Sequence, residues 1–190
     1  MTGPLTRGLV VSAVAALLAA VTPASADPRG DLAITMQEQE KSQWCWDASG
    51  NTIAAFWGHE MTQNEFCRVA HEKTETDCPD EIGYLSDLQR VYQHLKFRNP
   101  GTYDSAGKVL SFAEVKAEID AKRPLSTRIA WPNAGGHMHV VYGYDEASGV
   151  RKVSYGDPWK DYARYNSMDY DAYVKNDGFQ WTHTIYGIEG

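Results

Sequence analysis

The chain has 190 residues, 12% of them aromatic, and its 18 Lys and Arg against 25 Asp and Glu give a formal charge of −7. So acidic a chain has no basic stripe to neutralise phosphates, which argues against nucleic acid or an anionic membrane as its partner. The length suits one ordinary domain with its own core, and no repeat or low-complexity tract points to a second.

The first element reads as an export signal. Arg7 supplies a positive charge, Leu9 to Val21 is apolar except for Ser12, and Ala24 and Ala26 are the small residues a signal peptidase reads. The apolar run is shorter than the roughly 20 helical residues that span a bilayer. Residues 1–26 are therefore expected to be cleaved, leaving 27–190 as a single secreted domain, a monomer with no membrane partner. The stretch from Ala26 to Gln39 is too short for a folded inhibitory prodomain.

Next comes a helix. Ser42 or Gln43 can start it, Ala48, Thr52, Ala55 and Phe56 recur at helical spacing, and Gly58 stops it. Cys45 then falls in the first turn, where free amide groups and the partial positive charge of the helix favour a thiolate. In an oxidising compartment an odd cysteine count leaves one thiol free. Cys67 and Cys78 flank a polar stretch, Arg68 to Asp77, that can loop back. Closing it would contribute about 3 kcal/mol in the chain-entropy picture. Cys67–Cys78 is the expected disulfide and Cys45, between Trp44 and Trp46, the free thiol. A small buried core cysteine is the plain alternative.

Further along, Tyr84 to Phe97 has a helical apolar pattern that includes His94, and His59 and His71 sit in polar, surface-like surroundings. Ser111-Phe112-Ala113-Glu114 opens a second capped helix, Phe112 to Lys122. After Pro124 a strand is expected from Leu125 to Trp131. Gly135 and Gly136 then lead into another strand, with His137 at its mouth and His139 two residues deeper on the same face. Tyr144 to Gly149 reads as a turn and Val150 to Tyr155 as the return strand. A hairpin centred on Ala147 sets His137 opposite Asp157, where a carboxylate could orient an imidazole; a bulge could shift this by a residue or two. Pro158 and Trp159 end that strand, and a final strand runs from Phe179 to Ile188 with His183 in it.

Three separated segments resemble the papain superfamily, more closely its small secreted bacterial branch of cysteine peptidases. In Gln39-Glu40-Lys41-Ser42-Gln43-Trp44-Cys45-Trp46 a glutamine precedes the nucleophile by six residues, which implies that Gln39 completes an oxyanion hole with the Cys45 amide. In His137-Met138-His139-Val140-Val141-Tyr142-Gly143-Tyr144 the family's general base precedes a Gly-Tyr pair by six residues. That spacing selects His137 over His139. Gly156-Asp157-Pro158-Trp159 resembles the branch's aspartate orienter. The resemblance implies an α+β, two-lobed papain-like fold, with helices around the nucleophile and a twisted antiparallel sheet carrying His137 and Asp157.

The chemistry implied is hydrolysis of peptide or amide bonds in a peptide or protein substrate, with no metal or organic cofactor. Cys45, His137, Asp157 and Gln39 would carry it as nucleophile, base, orienter and oxyanion donor. Asp47 departs from the family pattern, which has a small apolar residue there. Its carboxylate would oppose a thiolate unless it bonds a nearby amide or a cation. Two other readings remain: a catalytically silent papain-like binding module, and a metal site built on His137 and His139 with Asp157 or His183.

Overall fold

The structure is a computed structural model that describes Met1, Gly3, residues 28–74 and residues 76–190. The rest of the predicted signal segment lies outside the described residues. Among the described residues no helix is long and apolar enough to cross a membrane.

Five helices and seven strands are seen among the described residues. In chain order they are β1 (Arg29–Asp31), α1 (Cys45–Phe56), α2 (Gln63–Ala70), α3 (Leu85–His94), β2 (Asn99–Tyr103), α4 (Phe112–Asp120), β3 (Leu125–Ala130), β4 (Gly136–Asp145), β5 (Lys152–Gly156), β6 (Tyr165–Asp169), α5 (Tyr170–Val174) and β7 (Gln180–Glu189). The fold is α+β, with two lobes, as the resemblance implies. One lobe is made by α1, α2 and α3, which pack on one another. The other is an antiparallel sheet in the order β2-β7-β3-β4-β5-β6, with β1 also on β4. α1 packs on β4 and joins the lobes.

Capping chemistry explains two of the helices. Ser111 Oγ accepts the Glu114 amide while the Glu114 carboxylate accepts the Ser111 amide, as the sequence pattern predicts. Thr62 and Glu65 form the same reciprocal pair at the start of α2. The stretch after Cys67 is therefore not all loop, since α2 continues to Ala70. α1 starts later than Ser42 or Gln43, with Trp44 as its N-cap and no side-chain cap. Gly58 ends it in the left-handed region, φ 87°, where the Gly58 and His59 amides bond back to Ala55 and Ala54.

One apolar cluster runs through both lobes, including Trp44, Trp46, Ile53, Leu88, Val140 and Trp181. Burying each such side chain contributes roughly 1.5–3 kcal/mol. β4 is buried along most of its length because helices cover one face and aromatic side chains the other. His71 differs from its surface-like reading. His94 is exposed at the end of α3, and His71 stacks on the Trp46 indole at 4.9 Å with 14% of its side chain exposed.

Candidate active site

Cys45 is the first residue of α1, half-buried and free of any disulfide. Its position at the helix start leaves its N–H without an acceptor inside the helix. The turn before it is tied down from the α2–α3 connection. The Asp80 carboxylate accepts the Gln43 amide at 2.8 Å and the Ser42 hydroxyl at 2.7 Å, and Lys41 Nζ bonds Asp77 and the Cys78 carbonyl. Cys78 is joined to Cys67 on α2 in a disulfide with Cα atoms 6.0 Å apart. The tryptophans flanking Cys45 are fully buried and donate their indole N–H groups to the Pro79 and Glu81 carbonyls. Gly83 lies so close over the Trp46 ring that a Cβ there would meet it at 2.2 Å. The start of α1 at Cys45 and the 77–83 loop are thus one packed unit.

The sheet brings the other polar groups. Register on β4 and β5 pairs Val140 with Gly156, whereas a hairpin centred on Ala147 would have set Val140 opposite Ser154. Next to the turn Gly143 pairs with Ser154 and Asp145 with Lys152, so the hairpin is centred between Ser148 and Gly149, and a bulge between Val141 and Gly143 brings the register back by one residue. Asp157 therefore sits just past the end of β5, level with the deeper histidine, and its two oxygens serve both rings. Oδ1 meets His137 Nε2 at 2.7 Å and also accepts the Trp159 amide at 2.8 Å. Oδ2 lies 3.5 Å from His139 Nε2. His139 Nδ1 meets the Tyr173 hydroxyl at 3.2 Å, and that hydroxyl meets Thr127 Oγ1 at 2.6 Å. Arg164 closes the segment after Asp157 through the Asp157 carbonyl and Glu38.

These contacts fix protonation. Burial alone would raise Asp157, but the hydrogen bonds from His137 and His139 outweigh it and hold the carboxyl well below the usual range. An ionised carboxylate only accepts, so His137 Nε2 must be the donor to it. Burial pushes His137 down, yet its hydrogen bond with Asp157, the neighbouring Cys45 and the charge on both lift it to about 9. His137 Nδ1 is buried and makes no closed hydrogen bond, so it is the ring nitrogen left for the Cys45 thiol. His139 moves the other way, lowered by burial and by the neighbouring His137 despite Asp157. It is the neutral partner of the pair.

Two indoles flank the His137 ring. Trp131 stacks on the His137 ring at 5.9 Å and Trp159 meets it edge-on at 5.4 Å. A trough of about 560 Å³ is lined by His137, His139 and Asp157 together with Trp131, Trp159, Tyr155 and Phe179. On the Cys45 side is a cleft of about 150 Å³ between the lobes.

Gln39 lies in the segment preceding Cys45, with its backbone amide on the Pro158 carbonyl beside Asp157. Its Nε2 donates to the Lys41 and Ser42 carbonyls, both at 2.9 Å, and its Oε1 is buried without a partner. Asp47 is fully buried, and neither carboxylate oxygen has a hydrogen-bond partner. The expected amide or cation partner is therefore not there. Instead burial, aided by Glu40 and opposed by Lys41, raises Asp47 to about 9. A neutral Asp47 puts no negative charge beside Cys45 at pH 7.

Donor atoms of His137, His139 and Asp157 lie within 4.8 Å of one another, the separation a metal ion would need. A second such group, Cys67, His71 and Cys78, has both sulfurs in the disulfide and offers no thiolate. Sequence reasoning missed Tyr173, Trp131 and the double role of Asp157. The i, i+2 histidine pair was the one visible trace of that double role.

The comparisons with known proteins decide the family. A sequence model described as "Papain-like cysteine protease AvrRpt2" matches residues 28–176. The chain belongs to this family. Among solved structures it is similar to UfSP from C. elegans, with a TM-score of 0.53 at 12% identity, covering 86% of this chain and 35% of that one. The chain thus spans about a third of that protein's length, and the likeness supports the papain-like fold. Curated proteins gave no match.

Proposed function

We propose that the protein is an exported bacterial peptidase, its residues 27–190 a single monomeric domain freed from a signal segment at 1–26, that works through an acyl-enzyme on Cys45. It acts without nucleic acid, membrane or cofactor. The observation that carries this reading is the division of the His137 ring: Nε2 is committed to Asp157, and Nδ1 is left for the thiol at the start of α1.

His137 Nδ1 takes the Cys45 proton, and Asp157 stabilises the imidazolium through Nε2. The thiolate attacks the substrate carbonyl, forming the C–S bond as the carbonyl π electrons move to oxygen. The Cys45 amide and Gln39 Nε2 hold that oxyanion, with Gln39 giving up one of its two carbonyl bonds to do so. His137 returns the proton to the departing amine as the C–N bond breaks. Water, deprotonated by the same nitrogen, then attacks the thioester and releases the acid and the thiol.

Mass spectrometry of a peptide mixture incubated with the purified protein tests this. Turnover should fall by about 10⁴-fold or more in Cys45→Ala. Unchanged cleavage in that variant, or none by the wild type, would contradict it. The second reading, a catalytically silent module, draws on Asp47, whose unpartnered carboxyl lies two residues from the nucleophile. It requires a Cys45 that does not react with thiol probes.

A further inference from the structure

The cleft on the Cys45 side has apolar walls and one cation. Trp46, Ile82 and Met138 line it with Cys45 and His137, and so does Arg128. Arg128 lies on β3 opposite Met138, at the point where the β3–β7 register slips between Arg128 and Ile129. Such a bulge re-aims the side chain it carries. The backbone facing it is Gly136, and a Cβ there would meet Arg128 Nη2 at 2.9 Å and Cζ at 3.0 Å. The glycine thus leaves the space the guanidinium occupies beside His137.

Arg128 is half-buried, and the one hydrogen bond of its guanidinium among the described residues is Nη1 to Thr182 Oγ1 at 3.1 Å. Among the described residues, Arg29, Arg90, Arg98, Arg123, Arg151 and Arg164 each lie within 4.0 Å of a carboxylate, whereas Arg68, on α2, and Arg128 do not; of these two only Arg128 lines the cleft. A guanidinium has five N–H donors in a fork that matches a carboxylate, and it holds its charge at any working pH. Set in an apolar cleft, its remaining donors favour a bound anion strongly over a neutral group.

We propose that Arg128 sets substrate choice by binding a carboxylate next to the scissile bond, so that the peptidase cleaves beside an Asp or Glu. This rests on the thiol-peptidase reading above. A substrate's terminal carboxylate offers the same chemistry, and the experiment separates the two sources. A mixture of synthetic peptides is made twice, once with blocked ends and once with free C-termini, and cleavage sites are mapped by mass spectrometry.

In the blocked mixture the wild type should favour Asp or Glu over Gln or Leu at one fixed position by roughly tenfold or more, the strength of a charge-assisted hydrogen bond. The preference should weaken as salt is raised. In Arg128→Gln the acidic-to-neutral ratio should collapse to about one, Arg128→Lys should retain part of it, and Arg128→Glu should turn it toward Lys or Arg. Preference confined to free C-termini would support the carboxylate and assign it to the chain end. Cleavage by the wild type with no acidic preference, or a preference that survives in Arg128→Gln, overturns the inference while leaving the peptidase reading intact. Absence of any cleavage by the wild type removes both.

Discussion

Asp157 and Asp47 are both buried carboxyls close to one nucleophile, and burial pushes both upward. They end on opposite sides of the ordinary carboxylate range. Asp157 stands at the end of a strand, where two imidazoles and a backbone amide converge on its oxygens. Asp47 points from the first turn of α1 into packed surroundings that give its oxygens no donor. Position near the site does not decide what a carboxyl does there. The donors built around it do, because desolvation alone keeps an acid neutral and hydrogen bonds to the charged form make it an anion.

The largest test of that contrast removes the better-served carboxyl. Asp157→Ala should cost about 10²–10⁴-fold in kcat/KM, since His137 loses its orienter and its counter-charge together. Asp157→Asn separates the two roles. The amide oxygen can still accept from Nε2–H, but without the charge His137 should fall from about 9 toward its ordinary value. The alkaline limb of the pH–rate profile should move down with it, while the loss at the optimum stays smaller than in the alanine variant.

Asp47→Asn should act in the other direction, on stability. The folded state keeps the Asp47 proton up to about 9, whereas the unfolded chain releases it near 3.8. Stability is therefore lost as pH rises between those values. At pH 7 the difference is on the order of 4 kcal/mol. The asparagine variant should melt higher than the wild type at pH 8, with the gap shrinking toward pH 4. Asp157 gives the reverse slope, contributing above the unfolded value and losing that contribution as pH falls. His137, raised to about 9, contributes fully below 6.5 and loses that contribution as pH climbs through 9. Melting curves from pH 4 to pH 9 for both proteins read these slopes directly.

Much of this was legible in the residues because local rules governed it. The α4 cap, the α1 stop at Gly58 and the cysteine arithmetic follow from spacing and φ preferences that tertiary contacts did not override. α2 carries the same local signal, the Thr62 and Glu65 capping box, and it runs three residues past Cys67 into the stretch expected to loop back. The hairpin register differs because the turn is centred between Ser148 and Gly149 rather than on Ala147, and the bulge after Val141 takes back only one residue of that shift. Asp157 still reaches His137 because both histidines share a face and a carboxylate spans the gap between them. The Tyr173–Thr127 extension and the indole walls depend on elements far apart in the chain, which no local pattern reports.

The central claim is that His137, held by Asp157, activates Cys45, and iodoacetamide labelling of the purified protein from pH 5 to pH 9 tests it most directly, with sites read by mass spectrometry. The account predicts that Cys45 alone labels, that it does so quickly well below pH 8, and that this low-pH reactivity disappears in His137→Ala. A Cys45 that labels no faster than an ordinary thiol, or whose labelling is unchanged in His137→Ala, would contradict it.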